Sequence, residues 1–263
     1  MSGSLAAPVH PTAILSREVE LGPGVTVGPY AVLAGRIRVG AGTSIGPHAL
    51  IEGETDIGRE CQIHGNAAVG TAPQDLKYRG EPTRLTLGDR CVVREFASVN
   101  RGTAGGGGHT VLGRGVVIMA YAHVAHDCVL EDGVILANQA TLAGHVVLES
   151  HVIVGGLTGI HQFCRVGRHA FVGACSAVLQ DVAPFIKVQG NRVKPFGLNT
   201  VGLRRHRVSP EAIAALQRAY RLLFHRGLNT SQALERVAGE VPACPEVDYL
   251  VDFIKRSQRG ISK

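Results

Sequence analysis

The sequence predicts a mainly β chain: a parallel β-helix of hexapeptide repeats followed by a C-terminal α-helical domain. Three observations predict it. The first is an aliphatic residue at every sixth position: Leu15, Leu21, Val27, Leu33, Val39, Ile45, Ile51, Ile57, Ile63 and Val69, then Leu87, Val93 and Val99, then Ile118, Val124, Leu130, Leu136, Leu142, Leu148, Val154, Ile160, Val166, Val172 and Val178. All 24 positions are Leu, Ile or Val, and a fixed short period marks a repeat architecture. The second is a set two residues earlier that is mostly small or β-branched, including Ala31, Thr43, Ala49, Thr55, Cys61, Ala67, Cys91, Ala97, Ala122, Cys128, Ala140 and Cys164. A spacing of two puts both sets on one side of a short strand. The third is a glycine directly after many frame positions, as at Gly22, Gly28, Gly40, Gly46, Gly58 and Gly70. There a tight corner calls for a residue without Cβ.

Three hexads make one triangular coil, so the repeat predicts about nine coils, stacked at strand spacing into a prism on the order of 40–45 Å tall. The β-helix is expected over 1–188, with loop insertions at 70–86 and 100–117. The first insertion carries GTAPQDLKYRGEPTR, whose dense polar string Gln74, Asp75, Lys77 and Tyr78 suits a site. The second carries NRGTAGGGGHT, which reads as a flexible flap rather than a phosphate cradle, because no GK[ST] follows. The frame ends at Pro184, and 189–263 is expected to be helical. One helix starts at Ser209-Pro210-Glu211 and carries the stripe Ile213, Leu216, Tyr220, Leu223 and Phe224 up to Gly227. Further helices are expected over 231–238 and 246–258.

Composition narrows the function. With 45% hydrophobic residues among 263, the chain can bury a large core, and a net charge of +6 is not that of a nucleic-acid-binding tail. Glycine is abundant, 34 residues, but without a G-X-Y period, which excludes collagen. No apolar run reaches the roughly 18 residues of a membrane span, so no stable membrane insertion is expected. Residues 1–11 show no signal-peptide pattern, and a cytoplasmic location follows as the expectation. The six cysteines lack CxxC pairs, so they read as free thiols. Cys61, Cys91, Cys128 and Cys164 occupy the small inward position as core filler.

The chemistry concentrates in His123-Val124-Ala125-His126-Asp127. Val124 points inward, so His123 points outward and His126 falls at a corner. One coil is 18 residues, which stacks His126, Gly144 and Gln162 along one edge and places His145 and Phe163 above Asp127. A histidine beside a glycine N–H suits a general base next to an oxyanion donor. Two other readings stay open: histidines that decorate a corner, and a three-imidazole zinc site from His123, His126 and His145, as in a β-helix carbonic anhydrase. No serine or cysteine nucleophile is evident, so the base would act directly on a substrate hydroxyl or amine. Between Lys187 and Arg207, six cations (Lys187, Arg192, Lys194, Arg204, Arg205 and Arg207) stand without one acidic residue. That stretch suits a diphosphate or an acidic partner protein. No DNA-binding motif accompanies it, and no nucleic-acid partner is expected.

QDLKYRGEPTR at 74–84, HVAHDC at 123–128, LANQATLAGHV at 136–146, HQFCRVG at 161–167, QGN at 189–191 and PFGLN at 195–199 resemble the acyl-carrier-protein–UDP-N-acetylglucosamine O-acyltransferases, which open lipid A biosynthesis. The resemblance spans essentially the whole chain. It implies a left-handed coil, a homotrimer, and active sites in clefts between adjacent subunits. It also implies transfer of a (3-hydroxy)acyl chain to the sugar 3-hydroxyl, with no metal and no cofactor beyond the phosphopantetheine thioester of the acyl carrier protein. By motif, His126 is the general base, Asp127 orients it, and the Gly144 N–H stabilises the oxyanion. Asp75 and Lys77 contact sugar and phosphate, and His123, His145, His161 and Gln162 line the sugar and acyl region. Asn199 and Arg205 contact the nucleotide, and Phe171 and Ala174 flank the acyl chain. The chain departs from the family at Asn100, where many members carry His, and at Thr200, where some carry Glu. It departs again at His206, where some carry Arg, and at Ala174, where long-chain users often carry Gly. Rival functions are the later N-acyltransferase of the pathway, disfavoured because the repeat begins by residue 15, a coenzyme-A acetyltransferase, and a non-catalytic scaffold.

Overall fold

The computed structural model describes residues 8–225 and 227–263; residues 1–7 of the stretch read for a leader lie outside it. Among the described residues, strands of two to five residues form three sheets of nine, eight and ten strands. The chain passes through one strand of each sheet in turn, so the sheets are the three faces of a triangular prism. Coils stack in parallel and in register: Val99 lies opposite Val124, Val124 opposite Leu142, and Leu142 opposite Ile160. The frame residues from Val27 to Val178 are buried, while Leu15 and Leu21, in the first coil, are partly covered. The hexad works because its aliphatic side chains, each worth about 1.5–3 kcal/mol when buried, fill the inside of every face. Cys61, Cys91, Cys128 and Cys164 are buried among them.

The corners differ from the expectation in one respect. Gly22, Gly28, Gly40, Gly46 and Gly58 are not the residues in the left-handed region; that falls two positions later, at Gly24, Tyr30, Gly42, His48 and Glu60. Glycine follows the frame because adjacent coils approach too closely for a Cβ. At Gly28 it would lie 2.8 Å from Pro47 N, and at Gly40 2.6 Å from the Gly58 carbonyl carbon. An L-residue in the left-handed region costs about 1–2 kcal/mol, offset here by contacts along the edge. Tyr30 stacks on His48 at 5.1 Å, Phe96 on Tyr121 at 5.0 Å, and His145 on Phe163 at 4.4 Å between ring centroids.

The insertions are shorter than expected. Strands Ala68–Thr71 and Arg84–Leu87 bracket the first loop, leaving 72–83, and strand His109–Leu112 ends the second at 108. Thr110 and Leu112 are buried, so the frame re-enters one hexad before Ile118. The two loops are pinned to each other. Buried Asn100 donates from Nδ2 to Thr71 Oγ1 (2.9 Å) and Ala72 O (3.1 Å), and Arg101 donates to Gly70 O (2.7 Å) and to the Tyr78 hydroxyl.

At the far end, strand Ile186–Gln189 continues the ten-stranded sheet in parallel on Phe171–Val172 and pairs antiparallel with Lys194–Leu198. The expected boundary between 188 and 189 therefore falls inside a strand. Four helices follow: α1 (Thr200–Arg205), α2 (Pro210–Phe224), α3 (Thr230–Glu240) and α4 (Pro245–Lys255). Ser209 caps α2, accepting from the Ala212 N–H at 3.1 Å, and Asn229 with Gln232 forms a capping box on α3. The helices dock on their own prism. The Tyr249 hydroxyl donates to buried Glu149 (2.7 Å), which also accepts from Arg165 (2.9 Å), and the Arg168 guanidinium lies 3.7 Å above the Tyr249 ring. No helix among the described residues is long and apolar enough to cross a membrane.

Candidate active site

His123 and Val124 form a strand on the nine-stranded face; Val124 is buried and His123 points out. The chain then turns through Ala125 and His126, and Asp127 takes φ 58° at the corner. One coil on, His145 repeats that turn with φ 61°, and its N–H donates to the His126 carbonyl at 3.0 Å. One coil further, the Phe163 N–H donates to Gly144 O at 3.2 Å. The edge order inferred from an 18-residue step, His126–Gly144–Gln162 beside Asp127–His145–Phe163, is the order in the structure.

His126 Nδ1 sits 2.8 Å from Asp127 Oδ2. The Asp127 side chain is 1% exposed and that of His126 17%, so the pair is screened from water on the carboxylate side. The opposite edge of the ring lies over Gly144: a Cβ there would be 2.5 Å from His126 Cε1 and 2.8 Å from Nε2. The ladder bonds on either side of this glycine run from the Ala143 N–H to Ile160 O and from the His145 N–H to His126 O, so neither uses the Gly144 N–H. His145 meets His126 edge-on at 5.2 Å, with Nε2 3.9 Å from Asp127 Oδ2. Burial works to raise the Asp127 pKa, but hydrogen bonds from Thr103 and His126 outweigh it and hold the carboxyl below its ordinary value. Burial lowers the pKa of both His123 and His145.

Two cavities flank this dyad. One, of about 520 Å³, runs up the nine-stranded face and is lined by Gln74, His123, His126, Gly144, Gly159 and His161 among others. Its floor is the column of outward residues His123, Thr141, Gly159 and Ala177, which turns small and smooth away from the dyad. The other, of about 240 Å³, lies under the loops and is lined by Asp75, Lys77, Tyr78, Glu81, Thr103 and His145. His126, Asp127 and His145 bring donor atoms within 4.8 Å of one another. Within this chain His123 stands outside that cluster and meets Ser98 Oγ through Nδ1 at 2.7 Å.

The remaining expected residues lie elsewhere. Asn199, Arg205 and Phe171 share a third cavity of about 260 Å³ with Ile153, Lys187 and Thr200, on the ten-stranded face. Asn199 is the N-cap of α1: its Oδ1 accepts from Gly202 N–H (3.1 Å) and its Nδ2 donates to His169 O (2.8 Å). Gln162 is exposed at the corner, and Ala174 is exposed where the chain passes from the ten-stranded to the nine-stranded face. One chain thus carries the His126 cavity and the Asn199 cavity on different faces. Sequence reasoning missed Ser98 and Thr103, which touch His123 and Asp127 from 25 and 24 residues away. An inserted loop separates each pair, so an 18-residue step cannot find them.

Known proteins resemble this chain in sequence and fold. A family model described as "Udp N-acetylglucosamine O-acyltransferase; Domain 2" matches residues 181–262, and the bacterial transferase hexapeptide model matches 18–53 and 109–144. The acyl-[acyl-carrier-protein]–UDP-N-acetylglucosamine O-acyltransferase of Myxococcus xanthus is 50% identical over 98% of this chain and 100% of its own length. The chain belongs to the acyl-carrier-protein–UDP-N-acetylglucosamine O-acyltransferase family. The relative of the same description from Alkalilimnicola ehrlichii is 49% identical over 96% of this chain and 98% of its own. The crystal structure of the UDP-N-acetylglucosamine O-acyltransferase from Moraxella catarrhalis superposes with a TM-score of 0.94 at 39% identity, covering 98% of this chain and 100% of that one. The β-helix is of the left-handed kind found in this family.

Proposed function

We propose that the protein moves a (3-hydroxy)acyl chain from the phosphopantetheine thioester of acyl carrier protein to the 3-hydroxyl of UDP-N-acetylglucosamine, the opening step of lipid A biosynthesis, in the cytoplasm. The observation that carries the mechanism is the His126 ring, held through Nδ1 by Asp127 with its Nε2 edge over Gly144. Asp127 fixes the tautomer in which Nε2 is the free base. Nε2 takes the proton of the sugar hydroxyl as its oxygen attacks the thioester carbonyl. The Gly144 N–H donates to the oxyanion that forms. As the tetrahedral adduct collapses, the C–S bond breaks and the leaving sulfur takes the proton back from Nε2, giving an ester and the carrier thiol.

Asp75, Lys77, His123, His145, His161 and Gln162 bind the sugar and the acyl head, and the small-residue trough past Thr141 and Gly159 suits an extended chain. Lys187, Asn199 and Arg205 take the nucleotide, with Phe171 and Ala174 beside the acyl path. The two half-sites are united by a neighbour in a homotrimer. The test is mass spectrometry of product made from a panel of acyl carrier protein thioesters with acceptors bearing 3-OH or 3-NH₂. An ester on UDP-N-acetylglucosamine is expected. His126→Ala should lower the rate by about 10²–10⁴ without unfolding the protein. Amide product alone, or near-normal turnover by the variant, overturns the reading.

A further inference from the structure

The glycine-rich segment of the second insertion reads in the sequence as a loose flap; in the structure it closes over the catalytic carboxylate. Thr103 is buried, and its hydroxyl donates to Asp127 Oδ2 at 2.6 Å. Its backbone N–H points at the same carboxylate, 3.0 Å from Oδ1 and 3.2 Å from Oδ2. The Asp127 N–H is held in turn by Thr110 Oγ1 at 2.8 Å. A single turn of 3-10 helix, Ala104–Gly106, follows Thr103 and lies against the carboxylate. A Cβ on Gly102 would stand 2.8 Å from Asp127 Oδ1, and one on Gly106 would collide with Oδ2 and with the His145 ring. These glycines are the residue type that lets backbone cover a carboxylate at this range, and the cover is what leaves Asp127 almost without solvent.

We infer that Thr103 is a positioning residue of the acyl transfer, completing a Thr103–Asp127–His126 relay in which the glycine loop seals the carboxylate from water. The inference rests on His126 acting as the base. Asp127 has two oxygens to offer. With Thr103 donating twice, the carboxylate cannot turn, and the lone pair of Oδ2 left for His126 Nδ1 points along one direction. The same donors share the negative charge, which restrains how strongly Asp127 stabilises a proton on its neighbour. The groups facing the pair are His126 and His145 across the corner, His123 beside His126, Asp75 beyond His145, and the Thr103 dipoles. Thr110 Oγ1 holds only the Asp127 backbone N–H, whereas the Thr103 hydroxyl bonds the carboxylate itself and can be trimmed without changing charge.

Thr103→Val keeps size and the backbone N–H and removes only the hydroxyl. Loss of a hydrogen bond to a charged group should lower kcat about ten- to hundredfold, leave the KM for UDP-N-acetylglucosamine near its normal value, and move the acid limb of the kcat/KM profile to higher pH. Thr103→Ser should restore most of the rate and the normal limb. Gly106→Ala, whose methyl pushes on the carboxylate, should be impaired while its circular dichroism and melting temperature stay normal. His126→Ala is run beside them. If His126→Ala is dead while Thr103→Val has wild-type kcat and pH profile, the relay is wrong and the base assignment stands. If His126→Ala is active, the base assignment itself has failed. A Thr103→Val variant that loses rate with an unmoved acid limb, and is not rescued by Ser, assigns Thr103 to the fold alone.

Discussion

At the scale of single residues, the site is a by-product of how a corner is made. Each corner places one residue in the left-handed region, and on this edge those residues are Asp127, His145 and Phe163. The turn that tightens the corner therefore aims a carboxylate and an imidazole at the same spot. Gly144, just before one of them, is needed for a different reason: the His126 ring occupies the volume of its missing Cβ. Gly144→Ala should push the ring off Asp127 or away from the oxyanion donor. A displacement of about 1 Å can cost 10²-fold in rate, so kcat should fall by roughly that factor while nucleotide affinity and melting temperature change little. Steady-state kinetics with titration calorimetry would separate the two, and an unimpaired kcat would mean that the ring has no fixed place. His126, Gly144 and His145 were legible in the sequence because a constant step relates them. Thr103 and Ser98 were not, because an insertion breaks the step and nothing in NRGTAGGGG says where its backbone comes to rest.

Among the elements, α1 shows how the C-terminal part reports on the prism. Its C-cap His206 packs against two corner histidines, His151 and His169, at ring-centroid distances of 4.1 and 4.8 Å, and those two stack on each other at 5.1 Å. Burial, then the nearby His206, His151 and Arg168 charges, lower the His169 pKa to about 4 from an ordinary 6.5. A histidine kept neutral by folding takes up its proton more readily when unfolded. Between pH 6.5 and about 4 the unfolded chain binds a proton that the folded one refuses, so stability falls as the pH drops through that window and levels off below it. His169→Phe should keep the stacking on Phe185 and flatten the slope of melting temperature against pH over that range; an unchanged slope would place the titration elsewhere. Neither α1 nor the Ile186–Gln189 and Lys194–Leu198 hairpin was legible. Pro195 and Gly197 argue against a strand, and an edge position, where one side of the ladder needs no partner, is what tolerates them. The long amphipathic α2 was legible from its stripe and its cap, since period and terminus signal agree there.

In the whole molecule, the repeat made coil number and register readable, because inward positions obey one rule in every coil. Assembly was not readable from the repeat, because outward positions obey none, and it is here that the two half-sites matter. His126 and its trough lie on the nine-stranded face, whereas Arg205 and Asn199 line a cavity on the ten-stranded face of the same prism. The proposed reading, in which one sugar nucleotide meets both, has a second copy bring its ten-stranded face to the first copy's nine-stranded face. That contact is head-to-tail and closes naturally into a ring such as a trimer. Such a ring predicts complementation. A chain with His126→Ala lacks the base but keeps its nucleotide half, and a chain with Arg205→Ala keeps the base. Each is expected to be nearly inactive alone. Denatured together in equal amounts and refolded, they form mixed rings in which a site is whole when its base comes from the second chain and its nucleotide half from the first. Random assembly makes that true of about a quarter of sites, so activity should return to about a quarter of wild type. A site built within one chain would give no recovery at all, and that outcome would end the shared-cleft proposal.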